Sequence, residues 1–172
     1  MRRLLSASIY LFIFLLAFHT HPVLAHEHEP ARIQASAIQV EMIQSDEIKL
    51  PAEFRAALYE NLIQQLEKQG GFQRVYCDGD INAKNVADLV VLHSTVRRFK
   101  EGSERARQVT ILFGATSITI DCQFTNLEGK PLLERDVKGK VWVFGGNLRA
   151  TYDFAKKAAH LANENLSSPD SK

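Results

Sequence analysis

The sequence predicts an α+β domain of about five strands in a mixed, mostly antiparallel sheet, with two helices packed on one face in the order β-α-β-β-β-β-α. Three observations point to it. Several segments alternate apolar and polar residues with period two, two segments carry an apolar stripe at helical spacing, and short turns join the later strands. This domain follows an export signal.

The export signal opens the chain. Arg2 and Arg3 precede an apolar run from Leu4 to Phe18, Pro22 breaks the run, and Val23-Leu24-Ala25 offers small residues for a cut. Residues 1–25 are therefore expected to be a signal peptide, 26–32 a polar leader, 33–166 a single domain and 167–172 a disordered tail. An uncleaved membrane anchor is the alternative, but a spanning helix needs about 20 apolar residues, more than this run supplies. No cysteine lies beside the cut, so the bacterial lipoprotein route is not expected. The location expected is the periplasm or the outside of the cell, peripheral to an outer membrane, with no transmembrane span in the mature chain.

Of the 172 residues, 21 are Lys or Arg and 20 are Asp or Glu. Without Arg2 and Arg3 the cations fall one short of the anions, so a global attraction to nucleic acid is not expected.

The first strand lies within Ile33 to Ile43, where Ile38, Val40 and Met42 face one way and Gln39 and Glu41 the other. Pro51 then opens an amphipathic helix in which Phe54, Leu58, Leu62 and Leu66 recur every fourth residue, and Gly70-Gly71 stops it. A second strand follows in Phe72 to Cys77, and Asp78 to Asn85 is a loop by composition. Leu89, Val90, Val91 and Leu92 are consecutive, which suits a central strand covered on both faces, and its far end turns basic. Gln108 to Asn126 returns as one strand or as two broken at Gly114, and Ile118, Ile120, Cys122 and Phe124 share one face. Leu133, Val137, Val141 and Val143 alternate with charges in the next strand. Asn147 is expected to cap the last helix, Leu148 to Leu166, whose alanines favour close packing.

Gly71-Phe72-Gln73-Arg74-Val75, Ala87-Asp88-Leu89-Val90-Val91, Phe99-Lys100-Glu101-Gly102-Ser103 and Gly145-Gly146 before an Ala-rich helix form a succession. It resembles the bacterial domain-of-unknown-function family 4410. The resemblance covers roughly Pro51 to Asn165 and implies a small envelope-associated α/β domain, often a lipoprotein, with no established activity and no catalytic residues to carry over. This chain departs from the pattern in lacking the lipoprotein cysteine and in reducing a glycine-rich stretch to Phe113-Gly114-Ala115-Thr116.

No Gly-x-Ser-x-Gly, His-Glu-x-x-His, Cys-x-x-Cys or phosphate-cradling loop occurs in the chain, and no cofactor is expected. The titratable groups on strands are Asp88, His93 and Asp121; they are candidates for a hydrolytic enzyme, against the reading of His93 as a hydrogen-bonded structural residue. Cys77 and Cys122 share the apolar parity of their strands. In an oxidising compartment a bridge between them would add about 4 kcal/mol, and two buried thiols are the alternative. After a cut behind Ala25, the amine and amides of His26-Glu27-His28 and the His28 imidazole could bind Cu(II) in a square plane; two solvated histidines are the alternative.

A basic patch of Arg97, Arg98, Lys100, Arg105 and Arg107 stands against Glu101 and Glu104, with Trp142 on the charged side of its strand. It could touch lipid head groups, an acidic glycan or an acidic partner, or it could be a solvated hairpin tip. The function expected first is that of an exported, non-catalytic accessory domain binding an envelope protein or surface component. N-terminal copper binding and hydrolysis are the alternatives.

Overall fold

The structure, a computed structural model, describes residues 33–45, 47–103, 105–106, 114–141 and 146–168. The expected signal peptide, the polar leader, His26, His28, Arg107, Trp142 and residues 169–172 lie outside the described residues.

The architecture expected from sequence is present. Two short strands, β1 (Ile33–Gln34) and β2 (Ala37–Val40), lead to helix α1 (Ala52–Gln69). Pro51 stands before the first turn of α1, where its missing N–H costs nothing, and Gly70 ends the helix at φ 65°, a conformation glycine adopts without a Cβ clash. Phe54, Leu58, Leu62 and Leu66 are at most 2 % exposed, so the four-residue stripe is the face that packs on the sheet. Strand β3 (Arg74–Cys77), a short 3-10 turn (Ile81–Asn85) and the strands β4 (Leu89–Lys100), β5 (Thr116–Thr125) and β6 (Pro131–Val141) follow. Helix α2 (Arg149–Asn165) and strand β7 (Leu166–Ser167) complete the described chain.

The five-stranded sheet has the order β3-β2-β4-β5-β6. Strand β2 pairs in parallel with both β3 and β4, and β4-β5-β6 is an antiparallel meander. The parallel strands β2 and β3 have four residues each, whereas β5 and β6 have ten and eleven, so most of the pairing is antiparallel. Helix α1 is the crossover between two parallel neighbours, as such a connection requires.

Both helices pack on one face, over Ile38, Val40, Val90, Leu92, Ile120 and Phe124. The opposite face carries a smaller cluster of Ala37, Tyr76, Ala83, Leu89 and Val91, covered by the 3-10 turn. This is why four apolar residues run consecutively in β4: each parity has a cover. Beyond Leu92 the second cover ends, and the outward parity becomes His93, Thr95 and Arg97.

Three expectations need correction. Cys77 and Cys122 are free thiols, the first exposed and the second buried. They lie on β3 and β5 with β2 and β4 between them, a span of about 14 Å at ordinary strand spacing, far beyond disulfide reach. Asn147 does not cap α2; Leu148 holds the cap position without a side-chain hydrogen bond, and Asn147 turns toward the strands instead. The ordered chain also runs past residue 166. Strand β7 pairs with β1, and the Ser168 amide donates to the Gly71 carbonyl at 2.9 Å.

Candidate functional site

The site expected from sequence is a basic surface patch of Arg97, Arg98, Lys100, Arg105 and Arg107 with Trp142. The structure places its described members at one end of the open face of β4-β5-β6, the face opposite the helices. A β-bulge interrupts the register between Val96 and Arg98, so the chain gains one residue against β5 and two successive arginines are exposed. Below the bulge His93 stands opposite Gln123 and Thr95 opposite Asp121. Beyond it Arg98 stands opposite Thr119 and Lys100 opposite Ser117. On the far side Lys138 pairs with Thr119 and Lys140 with Ser117.

The two arginines differ in what they have to offer. Arg97 donates to the Asp121 carboxylate at 2.6 Å, and that hydrogen bond and charge hold its guanidinium proton more firmly than usual. Asp121 in turn faces Asp136 directly across the ladder, a like-charge pair that Arg97 compensates. Arg98, Lys100 and Lys138 make no ion pair among the described residues. Arg105 is exposed just beyond the strand end.

Among the described residues the face is shallow, with one concavity of about 950 Å³ lined by Arg97, Arg98, Thr119, Asp121, Asp136 and Lys138 among others. A second, of about 490 Å³, is lined by Ile48, Arg98, Lys100, Ser117, Thr119 and Lys138. The part of the face below the bulge is thus mixed in charge and internally compensated, and the part beyond it is basic.

The three residues considered for catalysis are not brought together. The Asp88 carboxylate accepts from the Ser36 hydroxyl at 2.6 Å and the Ser36 amide at 2.9 Å, which hold its pKa below the ordinary carboxylate value. His93 has Nδ1 at 2.7 Å from the Glu41 carboxylate and Nε2 at 3.1 Å from the Thr125 hydroxyl, so both ring nitrogens are engaged. Asp121 is held by Arg97. The Cys122 thiol, pushed up to about 12 by burial, is no nucleophile. Among the described residues no group of three or more His, Cys, Asp or Glu is placed to hold a metal ion.

Sequence reasoning found Arg98 and Lys100 and missed Ser117, Thr119 and Lys138. Their alternation with apolar residues is visible in the chain, but which of them stand beside Arg98 depends on a register that the bulge shifts by one residue.

No family model matches the chain, so the resemblance to family 4410 gains no support there, and no curated protein matches it. Solved structures do share its fold. A PelC dodecamer from Paraburkholderia phytofirmans is similar at 11 % identity over 78 % of this chain and 90 % of that one, with a TM-score of 0.56. The hypothetical protein CT253 from Chlamydia trachomatis is similar at 6 % identity over 76 % and 97 %, with a TM-score of 0.52. Protein XCC0632 from Xanthomonas campestris, of the domain-of-unknown-function family 330, is 14 % identical over 79 % and 85 %, at a TM-score of 0.47. Among the described residues no helix is long and apolar enough to cross a membrane.

Proposed function

We propose that this chain is an exported, non-catalytic accessory domain of the cell envelope whose open sheet face binds an acidic envelope component. One observation carries the reading: among the described residues the helices cover a single face of the sheet, and the bulge in β4 gathers Arg98, Lys100 and Lys138 at one end of the other face. The ladder fixes where each side chain leaves the backbone, and a cluster of like charges there favours recognition of a partner by charge. That Asp88, His93 and Asp121 each spend their hydrogen bonds on a separate neighbour supports a binding role over a hydrolytic one. The solved PelC relative in fold is a dodecamer, which supports assembly as part of the role.

The test is a photo-crosslinking residue at position 119 in the native cell, with fractionation and the intact mass of the product. Capture of one envelope component, lost in Arg98→Glu/Lys138→Glu and kept in Arg55→Glu on the helix face, is the expected result. A full-length product still bearing Met1 in the cytosol, or capture indifferent to the charge reversal, overturns it.

A further inference from the structure

We infer that the basic end of this face is a binding site for a phosphoryl group, held by Arg98, Lys100 and Lys138 around the hydroxyls of Ser117 and Thr119. The inference rests on the reading above and names the chemistry of what that face takes.

The register builds two parallel rows across three strands. One reads Arg98, Thr119, Lys138 and the next reads Lys100, Ser117, Lys140. Adjacent strands lie about 4.8 Å apart and alternate residues about 7 Å apart along a strand, so the cationic positions mark a rectangle of roughly 10 by 7 Å. Arg98, Lys100 and Lys138 stand at three of its corners. A residue of the middle strand bearing a hydroxyl stands midway along each long side, and neither Ser117 nor Thr119 spends its hydroxyl on another described residue. No carboxylate belongs to either row. The nearest on β5 and β6, Asp121 and Asp136, lie one row away, and Asp121 is taken by Arg97.

The donor set decides between anions. A carboxylate offers two oxygens in one plane, about four acceptor sites. The fork of Arg98, two ammonium groups and two hydroxyls offer more donors than that, from three directions. A tetrahedral phosphoryl group with three peripheral oxygens and up to two charges matches both the count and the directions, and arginine meets it with two parallel hydrogen bonds. The Ile48 side of the 490 Å³ concavity leaves room for the apolar or sugar portion of a phosphate ester.

The experiment follows amide shifts of the isotope-labelled protein during titration with inorganic pyrophosphate, with citrate at matched ionic strength as the carboxylate control. Saturating shifts centred on Ser117, Thr119 and Lys138, absent with citrate, are expected. Arg98→Glu/Lys138→Glu removes two cations and should weaken binding by roughly tenfold at the least, the effect of losing a single charge-assisted hydrogen bond, and Arg55→Glu should not. Ser117→Ala/Thr119→Val keeps every charge and should still weaken it several-fold. Vesicles of phosphatidylcholine with and without phosphatidic acid separate the sources: co-sedimentation only with the anionic lipid identifies a head group, and pyrophosphate binding without it identifies a soluble phosphate ester. Equal response to pyrophosphate and citrate, or indifference to the hydroxyl variant, overturns the inference. If that happens while capture at position 119 still depends on Arg98, the binding face stands and only its phosphoryl chemistry falls.

Discussion

Gly139 on β6 lies directly beneath Phe154 of α2, and the missing side chain is what lets the helix approach. A Cβ at position 139 would overlap the Ala150 carbonyl and the Phe154 Cβ, and the opposing atoms are mostly helix backbone. Phe154 is fully buried at this contact, so the helix cannot tilt away without uncovering it. Gly139→Ala is therefore expected to destabilise the domain by about 1–3 kcal/mol, the usual cost of overpacking. Urea unfolding checks it; a midpoint unchanged from the parent would mean that α2 sits higher on the sheet than described.

The thiols give a second expectation. Cys77 is exposed and Cys122 is fully buried with its pKa raised to about 12, so a thiol reagent should label one residue quickly in the native protein and the other only after unfolding. The intact mass should be the same before and after reduction. A loss of two hydrogens in the untreated protein would require β3 and β5 to come together and would refute the strand order.

Asp88 and Ser36 tie the start of β4 to the entry of β2, and this tie depends on pH. The folded state holds the Asp88 pKa below its ordinary 3.8, mainly through the Ser36 hydroxyl, so the native state binds fewer protons than the unfolded chain in that range. Its contribution is present above the ordinary carboxylate value and is lost as the pH falls through the lower folded one. Because Asp88 is exposed, the gain is small, no more than ~1 kcal/mol after screening. Asp88→Asn should be slightly less stable than the parent at pH 7, and the gap should close below about pH 4. Melting curves at both pH values decide it; a gap that widens in acid contradicts the linkage.

Much of this fold is legible in the chain because burial imposes a period. Phe54, Leu58, Leu62 and Leu66 announce α1, and the four apolar residues from Leu89 announce a strand covered twice. What local pattern cannot supply is the pairing between strands. The bulge after Val96 is set by how β4 meets β5, and it alone decides that Arg98 stands beside Thr119 and Lys138. The distance between Cys77 and Cys122 is likewise a property of strand order, since their shared apolar parity is compatible with neighbours or with strands far apart. Asn147 misleads for a related reason: it sits where a cap is wanted, but a better tertiary partner is available.

That partner is Thr116, fully buried at the start of β5. Its hydroxyl donates to the Asn147 Oδ1 at 2.7 Å and accepts from the Gly102 amide at 3.0 Å, while the Asn147 amide donates to the Gly102 carbonyl at 3.2 Å. Three segments far apart in sequence, the end of β4, the start of β5 and the entry to α2, are joined by these bonds. Asn147→Ala leaves a buried hydroxyl with one partner fewer and should cost about 1–3 kcal/mol. Thr116→Val removes the hydroxyl at nearly constant shape, so in its background the Asn147→Ala substitution should cost less than it does alone. A double-mutant cycle by chemical denaturation measures the difference. A coupling energy near zero would mean that Asn147 acts through partners other than the Thr116 hydroxyl, which would then serve the Gly102 amide alone.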